Sequence, residues 1–152
     1  MKKNIALTCA FLAVLLTSGL HAAHRSSPDE AHSFFEKAVA YVDEVGTEKA
    51  VEAFNDADGS YVRGDLYVFA LSTDGLYLAN GGFPQLAGTP IDGVNNAAGE
   101  PIYEIIMSAV DNDEHEGVAE YEWLNPQTNQ LEDKSAYVSE VDGLVIGVGY
   151  YQ

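Results

Sequence analysis

The sequence predicts an α+β domain in which N-terminal helices precede a five-stranded antiparallel sheet, with one further helix inserted between strands. Two observations carry this prediction. Apolar residues recur at helical spacing through residues 28–45, whereas from Asp65 onward short apolar runs are separated by turn sequences such as Thr-Asp-Gly and Val-Asp-Gly. A length of 152 residues holds one such domain and leaves little room for a second.

Residues 1–22 stand outside that domain. Lys2 and Lys3, the apolar run from Ile5 to Leu16 and the small residues at Ala22-Ala23 follow the three-part pattern of a secretory signal, with cleavage expected after Ala22 and the domain occupying 23–152. The run falls short of the roughly 20 apolar residues that span a bilayer, so retention as an anchor is the lesser alternative. Cys9, the single cysteine, lies in this segment, which leaves neither disulfide nor thiol chemistry to the remainder. The expected location is periplasmic or secreted.

The chain carries a net charge of -17. With Lys2 and Lys3 removed, five cationic side chains face all 24 acids. Nucleic acid and anionic membrane surfaces both require a basic footprint, so neither is expected as a partner.

Each element has a local reason. Ser27 is placed to cap a helix, Pro28 suits its first position, and Glu30 completes a capping box. Ala31, Phe34, Phe35, Ala38, Val42 and Val45 form the apolar stripe, and Gly46 ends it. Thr47 is positioned to cap a second short helix running toward the turn Asp56-Ala57-Asp58-Gly59. "DLYVFALSTDGLYLANGG" reads as two strands; the first has Leu66, Val68 and Ala70 on one face and Tyr67, Phe69 and Leu71 on the other, the mark of a strand covered on both sides. A Gly-, Pro- and Asn-rich loop follows. Ile102, Ile105, Ile106 and Ala109 then make one helical stripe. "GVAEYEWLNP" alternates with Glu120 and Glu122 outward and Ala119, Tyr121 and Trp123 inward, and "KSAYVSEV" and "LVIGVGYY" complete the sheet.

Two phrases, "GTEKAVEAFNDADGSYVRGDLYVFALSTDG" and "EGVAEYEWLNPQTNQLEDKSAYVSEVDGLVIGVGYY", resemble the type 2 single Cache domains, extracytoplasmic relatives of the PAS sensor fold. The resemblance covers the chain from roughly Ala38 to Tyr151 and rests on the order of Gly-Asp-Leu-Tyr-Val-Phe, Tyr-x-Trp-x-Asn-Pro, Lys-Ser-x-Tyr-Val and Gly-x-Gly-x-Tyr around a helix. It implies a long N-terminal helix packed on an antiparallel sheet, with a pocket between the sheet and its covering helix. In such domains the ligand is often a short carboxylate or another small polar metabolite. Where related domains carry a histidine in an Ala-His-Pro context, this chain has Ala79-Asn80-Gly81. It also stops at Gln152, and on that ground it is expected to act through a partner such as a membrane receptor, kinase or transporter.

A short anion held away from water needs one fixed positive charge and a few hydroxyl or indole donors. Lys134 is the only cationic side chain after Arg63, and with Tyr67, Tyr121, Trp123 and Tyr137 it supplies that chemistry. Gly147 and Gly149 are expected to leave space beside them. Strand parity sends Lys134 and Tyr137 to opposite faces, so both line one pocket only across a bulge. Tyr103 and Met107 could close the pocket from the helix, and Asn80 could hydrogen-bond a ligand. The alternative is that these rings fill a core, that the lysine lies across the surface and that Asn80 is a turn residue.

No metal or cofactor is expected. Asp56 and Asp58 precede Gly59 at a spacing that does not fit an EF-hand loop, and no nucleophile elbow, P-loop or dinucleotide fingerprint occurs. Three functions follow in order of support: an exported, free-standing ligand-binding sensory domain; a periplasmic interaction module with a filled core; and, distantly, an enzyme acting on a small substrate. The first helix's stripe is also compatible with a homodimer seam.

Overall fold

The computed structural model describes residues 25–152; the expected signal segment lies outside the described residues. Helix α1 (Pro28–Val45) begins as its sequence dictates: the Ser27 hydroxyl accepts from the Glu30 amide while the Glu30 carboxylate accepts from the Ser27 amide. Ala31, Phe34, Phe35, Ala38 and Val42 are its buried face. Gly46 ends it at φ 82° and also stands as the cap of α2 (Thr47–Phe54), whose start has no side-chain cap. Thr47 is therefore the first helical residue and not the cap. Gly46 serves both helices: its amide donates to the Val42 carbonyl, and its carbonyl accepts the first bond of α2 from the Ala50 amide.

The sheet comprises β1 (Val62–Arg63), β2 (Leu66–Ser72), β3 (Tyr77–Asn80), β4 (Glu116–Asn125), β5 (Gln130–Val141) and β6 (Leu144–Tyr151). Its order is β1-β2-β6-β5-β4, with β3 paired to β2, and every pairing is antiparallel. The five strands expected are present, and the two-residue β1 adds a stub beside β3 on the β2 edge away from β6. Strand β2 is central and buried from Leu66 through Leu71, as its two apolar faces require.

Two cores result, one on each face. Helices α1 and α2 cover Leu66, Val68, Ala70, Ile146 and Val148. Helix α3 (Ile102–Val110) covers the other face with Ile102, Ile106 and Val110, packing on Ala119, Ala136, Val138 and Val145. Ile105 and Ala109, expected in the α3 stripe with Ile102 and Ile106, are only half-buried and flank it. Each fully buried large apolar side chain contributes about 1.5–3 kcal/mol, so these faces fix the register of the sheet.

The start of the described chain is fastened to its end. The Ser26 amide and hydroxyl donate to the buried Asp65 carboxylate, the hydroxyl at 2.6 Å. Arg25 pairs with Glu132 at 3.0 Å and also donates to the Gln152 carbonyl.

Candidate functional site

Under α3 the sheet leaves a small internal cavity bounded by Tyr67 and Phe69 of β2, Tyr77 and Asn80 of β3, Ile102 and Ile106 of α3, Tyr121 and Trp123 of β4, and Lys134 of β5. Its free volume is about 10 Å³, room for roughly one water molecule. Phe83, on the loop after β3, is half-buried and meets both Tyr67 and Trp123 edge-to-face, at centroid separations of 5.9 and 6.3 Å. A register shift between Ala70 and Leu71 brings Tyr77 and Asn80 to the same face, although they stand three positions apart, an odd spacing, along one short strand.

Lys134 is the chemical centre. It is 2% exposed and lies between Tyr121 and Tyr151 on the flanking strands. Its Nζ donates to the Tyr67 hydroxyl at 2.8 Å and stands 4.1 Å from the Tyr67 ring centroid, 5.2 Å from that of Tyr151 and 5.6 Å from that of Phe69. Tyr67 and Tyr151 share a hydrogen bond at 3.2 Å, and the Tyr151 hydroxyl donates onward to the Leu124 carbonyl. No described carboxylate lies within ion-pair distance of Lys134.

Burial pushes the lysine down from its ordinary 10.5 to about 7, partly offset by the attraction of Asp65. The same loss of hydration, first among the causes, raises Tyr67 and Tyr121 well above the usual phenol range and raises Tyr77 and Tyr151 too. The site thus contains an amine whose charged form burial disfavours, among phenols that burial keeps neutral. Several donors are unused: among the described residues the Trp123 indole N–H, the Tyr77 and Tyr121 hydroxyls and the Asn80 side-chain amide make no hydrogen bond. The Asn80 carbonyl oxygen accepts from the Phe83 amide at 3.0 Å, so this residue shapes the turn and lines the cavity at once.

Sequence-predicted residues divide accordingly. Tyr67, Tyr121, Trp123, Lys134 and Asn80 come together. Tyr137 does not: β5 pairs without a bulge, so parity puts it on the α1 face, against His32 at 4.9 Å and Phe35 at 6.2 Å. Nor does Tyr103, whose hydroxyl donates to the Thr73 carbonyl at 2.6 Å and whose ring lies over Gly75, clamping the turn between β2 and β3. Met107 likewise packs at the flank of the core and does not line the cavity.

The two glycines of β6 do not leave open space. A Cβ at Gly149 would stand 2.1 Å from Lys134 Cε, and one at Gly147 would stand 2.1 Å from Phe69 Cζ. The lysine stem and the phenylalanine ring occupy the room that the glycines vacate. Phe69, Tyr77, Tyr151 and Phe83 are not among the residues expected from sequence. For Phe69 and Tyr77 the available signal is an aromatic on a strand's inward face; Tyr151 and Phe83 depend on strand register and loop path.

The profile of the family described as "Single Cache domain 2" matches residues 41–152. No curated protein matches the sequence well enough to count as a relative. Among solved structures, a methyl-accepting chemotaxis protein from Vibrio parahaemolyticus superposes with a TM-score of 0.67 at 18% identity, over 81% of this chain and 86% of that one. The periplasmic sensor domain of a chemotaxis protein gives 0.58 at 21% identity, over 81% and 88%. A Cache chemosensory domain described for carboxylic acid recognition gives 0.60 at 18%, over 80% and 83%. At these identities the likeness to the solved structures is one of fold.

Proposed function

We propose, from the premise that this chain belongs to the single Cache domain family, that it is an exported sensor domain whose cavity binds a small carboxylate at Lys134 and whose bound state is read by a partner protein. One observation carries the proposal: a buried lysine with no carboxylate beside it and the Tyr67 hydroxyl as its one hydrogen-bond partner. Removing an ammonium from water costs several kcal/mol even after relaxation. A domain that needed only a filled core would place an apolar residue there. The unused donors of Tyr77, Tyr121, Trp123 and Asn80 give a carboxylate further partners, and Phe69, Ile102 and Ile106 offer an apolar floor for a short alkyl group. The solved chemoreceptor sensor domains that share the fold support a membrane receptor as the partner class.

A second reading, an interaction module with a closed core, has one observation in its favour, the cavity's volume of about 10 Å³. Admitting a ligand requires the rings and strands around this space to move apart. The deciding experiment is thermal unfolding of residues 23–152 against small carboxylates, amino acids, amides and amines, with hits followed by calorimetry. Ligand at about 100 times its Kd adds roughly 2.7 kcal/mol, a readily seen shift. A carboxylate hit abolished in Lys134→Met supports the sensor. Silence across the panel with folded protein transfers the weight to the interaction module.

A further inference from the structure

Resting on the carboxylate reading, we infer that the site takes up its ligand together with a proton, so that in net composition it binds an undissociated monocarboxylic acid. Among the described lining residues Lys134 is the single cationic side chain, which suits one carboxylate and leaves a second unpaired. With no described carboxylate in ion-pair reach, the side chain buried and space for about one water beside it, loss of hydration costs the empty site's ammonium more than the Tyr67 hydroxyl and the ring faces of Tyr67, Tyr151 and Phe69 return to it. A bound carboxylate reverses this, because the ion pair then forms inside the same dry enclosure. A neutral acid and a neutral amine thereby become a carboxylate paired with an ammonium: the acid's O–H bond breaks, the new N–H bond forms on Nζ, and no net charge crosses the boundary. The acidic exterior, with five cationic side chains against 24 acids in residues 23–152, repels an arriving anion and leaves a neutral acid untouched.

The groups facing Nζ do not supply the proton. Tyr67 of β2, Tyr77 of β3, Tyr121 of β4 and Tyr151 of β6 are phenols held neutral by burial. Helix α3 contributes only Ile102 and Ile106. Asp133 and Ser135, beside Lys134 on β5, and Glu120 and Glu122, beside Tyr121 on β4, alternate to the opposite face; Glu120, Glu122 and Asp133 line an open groove with Tyr121 and Lys134 but stand outside ion-pair reach of Nζ, and the Asp65 carboxylate accepts from Ser26. Above the midpoint of Lys134 the occupied fraction therefore follows the product of anion and proton concentrations, which is proportional to the undissociated acid.

Two measurements test this. In ligand-free protein with labelled lysine side chains, nuclear magnetic resonance follows Lys37, Lys49 and Lys134 with pH; Lys134 is expected to titrate at about 7, and a midpoint close to the ordinary 10.5 overturns the inference. Calorimetry with acetate, propionate and pyruvate, in two buffers of different ionisation enthalpy, then counts protons. The expected result is close to one proton taken up per acid at about pH 8.5 and a Kd roughly a hundredfold weaker at pH 9 than at pH 6. Binding with a constant Kd and no proton uptake overturns the inference while leaving the carboxylate reading intact. Absence of binding by all three acids at about pH 6 overturns both.

Discussion

Replacing Lys134 by methionine is expected to change how stability depends on pH more than any other single substitution. The native lysine has its pKa lowered to about 7, against an ordinary 10.5. Between those values the unfolded chain binds the proton and the folded chain does not. Unfolding there takes up protons, and stability rises with pH across the window. Below pH 7 both states are protonated and the full penalty is present; above 10.5 both are neutral and it is gone. Integrating from pH 7 to pH 9 gives about 2.3 kcal/mol, which at a urea slope near 1.5 kcal/mol/M moves the midpoint upward by about 1.5 M. Lys134→Met fills a similar volume without the charge and leaves the Tyr67–Tyr151 hydrogen bond in place. Its stability at pH 7 is expected to exceed that of the native protein, with the advantage shrinking at higher pH. Urea unfolding at pH 6, 7, 8 and 9 is the assay, because urea does not screen charge. Parallel pH profiles for the two proteins would refute the reasoning, since a lysine that finds water or a counter-ion has no depressed pKa to relieve. Above about pH 10 the trend reverses for both, as the raised phenols Tyr67 and Tyr121 come to favour the unfolded chain.

Three further outcomes are expected. Gly149→Ala drives a methyl into the Lys134 stem, 2.1 Å from Cε, and should destabilise by about 2 kcal/mol while weakening carboxylate binding in calorimetry. Tyr137→Ala should cost about 3 kcal/mol or somewhat less, since the ring is only half-buried, yet leave carboxylate affinity within about twofold, because the ring packs on α1 and not in the cavity; a large loss of affinity would contradict that placement. Asp65→Asn removes an attraction that supports the Lys134 charge, so the pH at which binding weakens should move downward, measured as Kd against pH.

The parts of the fold that are legible in the sequence are those decided by neighbours along the chain. The Ser27–Glu30 capping box, the α1 stripe and the double-faced burial of β2 all rest on periods of two or about four residues. Parity alone also separates Lys134 from Tyr137, correctly. What cannot be read depends on residues distant in sequence. Tyr77 and Asn80 share a face only through the register shift against β2, and Tyr151 reaches Lys134 only because β5 and β6 pair with those two residues opposed. The glycines of β6 are readable as missing side chains, but whose atoms fill the gap is a property of the neighbouring strands.

Positions 134 and 149 divide one side chain's worth of volume between two adjacent strands, as positions 69 and 147 do. The glycine in each pair is held by the side chain opposite it. A Cβ acquired at 149 presses on the stem at 134, so it is tolerated best where a shorter side chain has already replaced the amine. Loss of the charge is one substitution, and its recovery is one while 149 stays glycine but two once a Cβ has settled there.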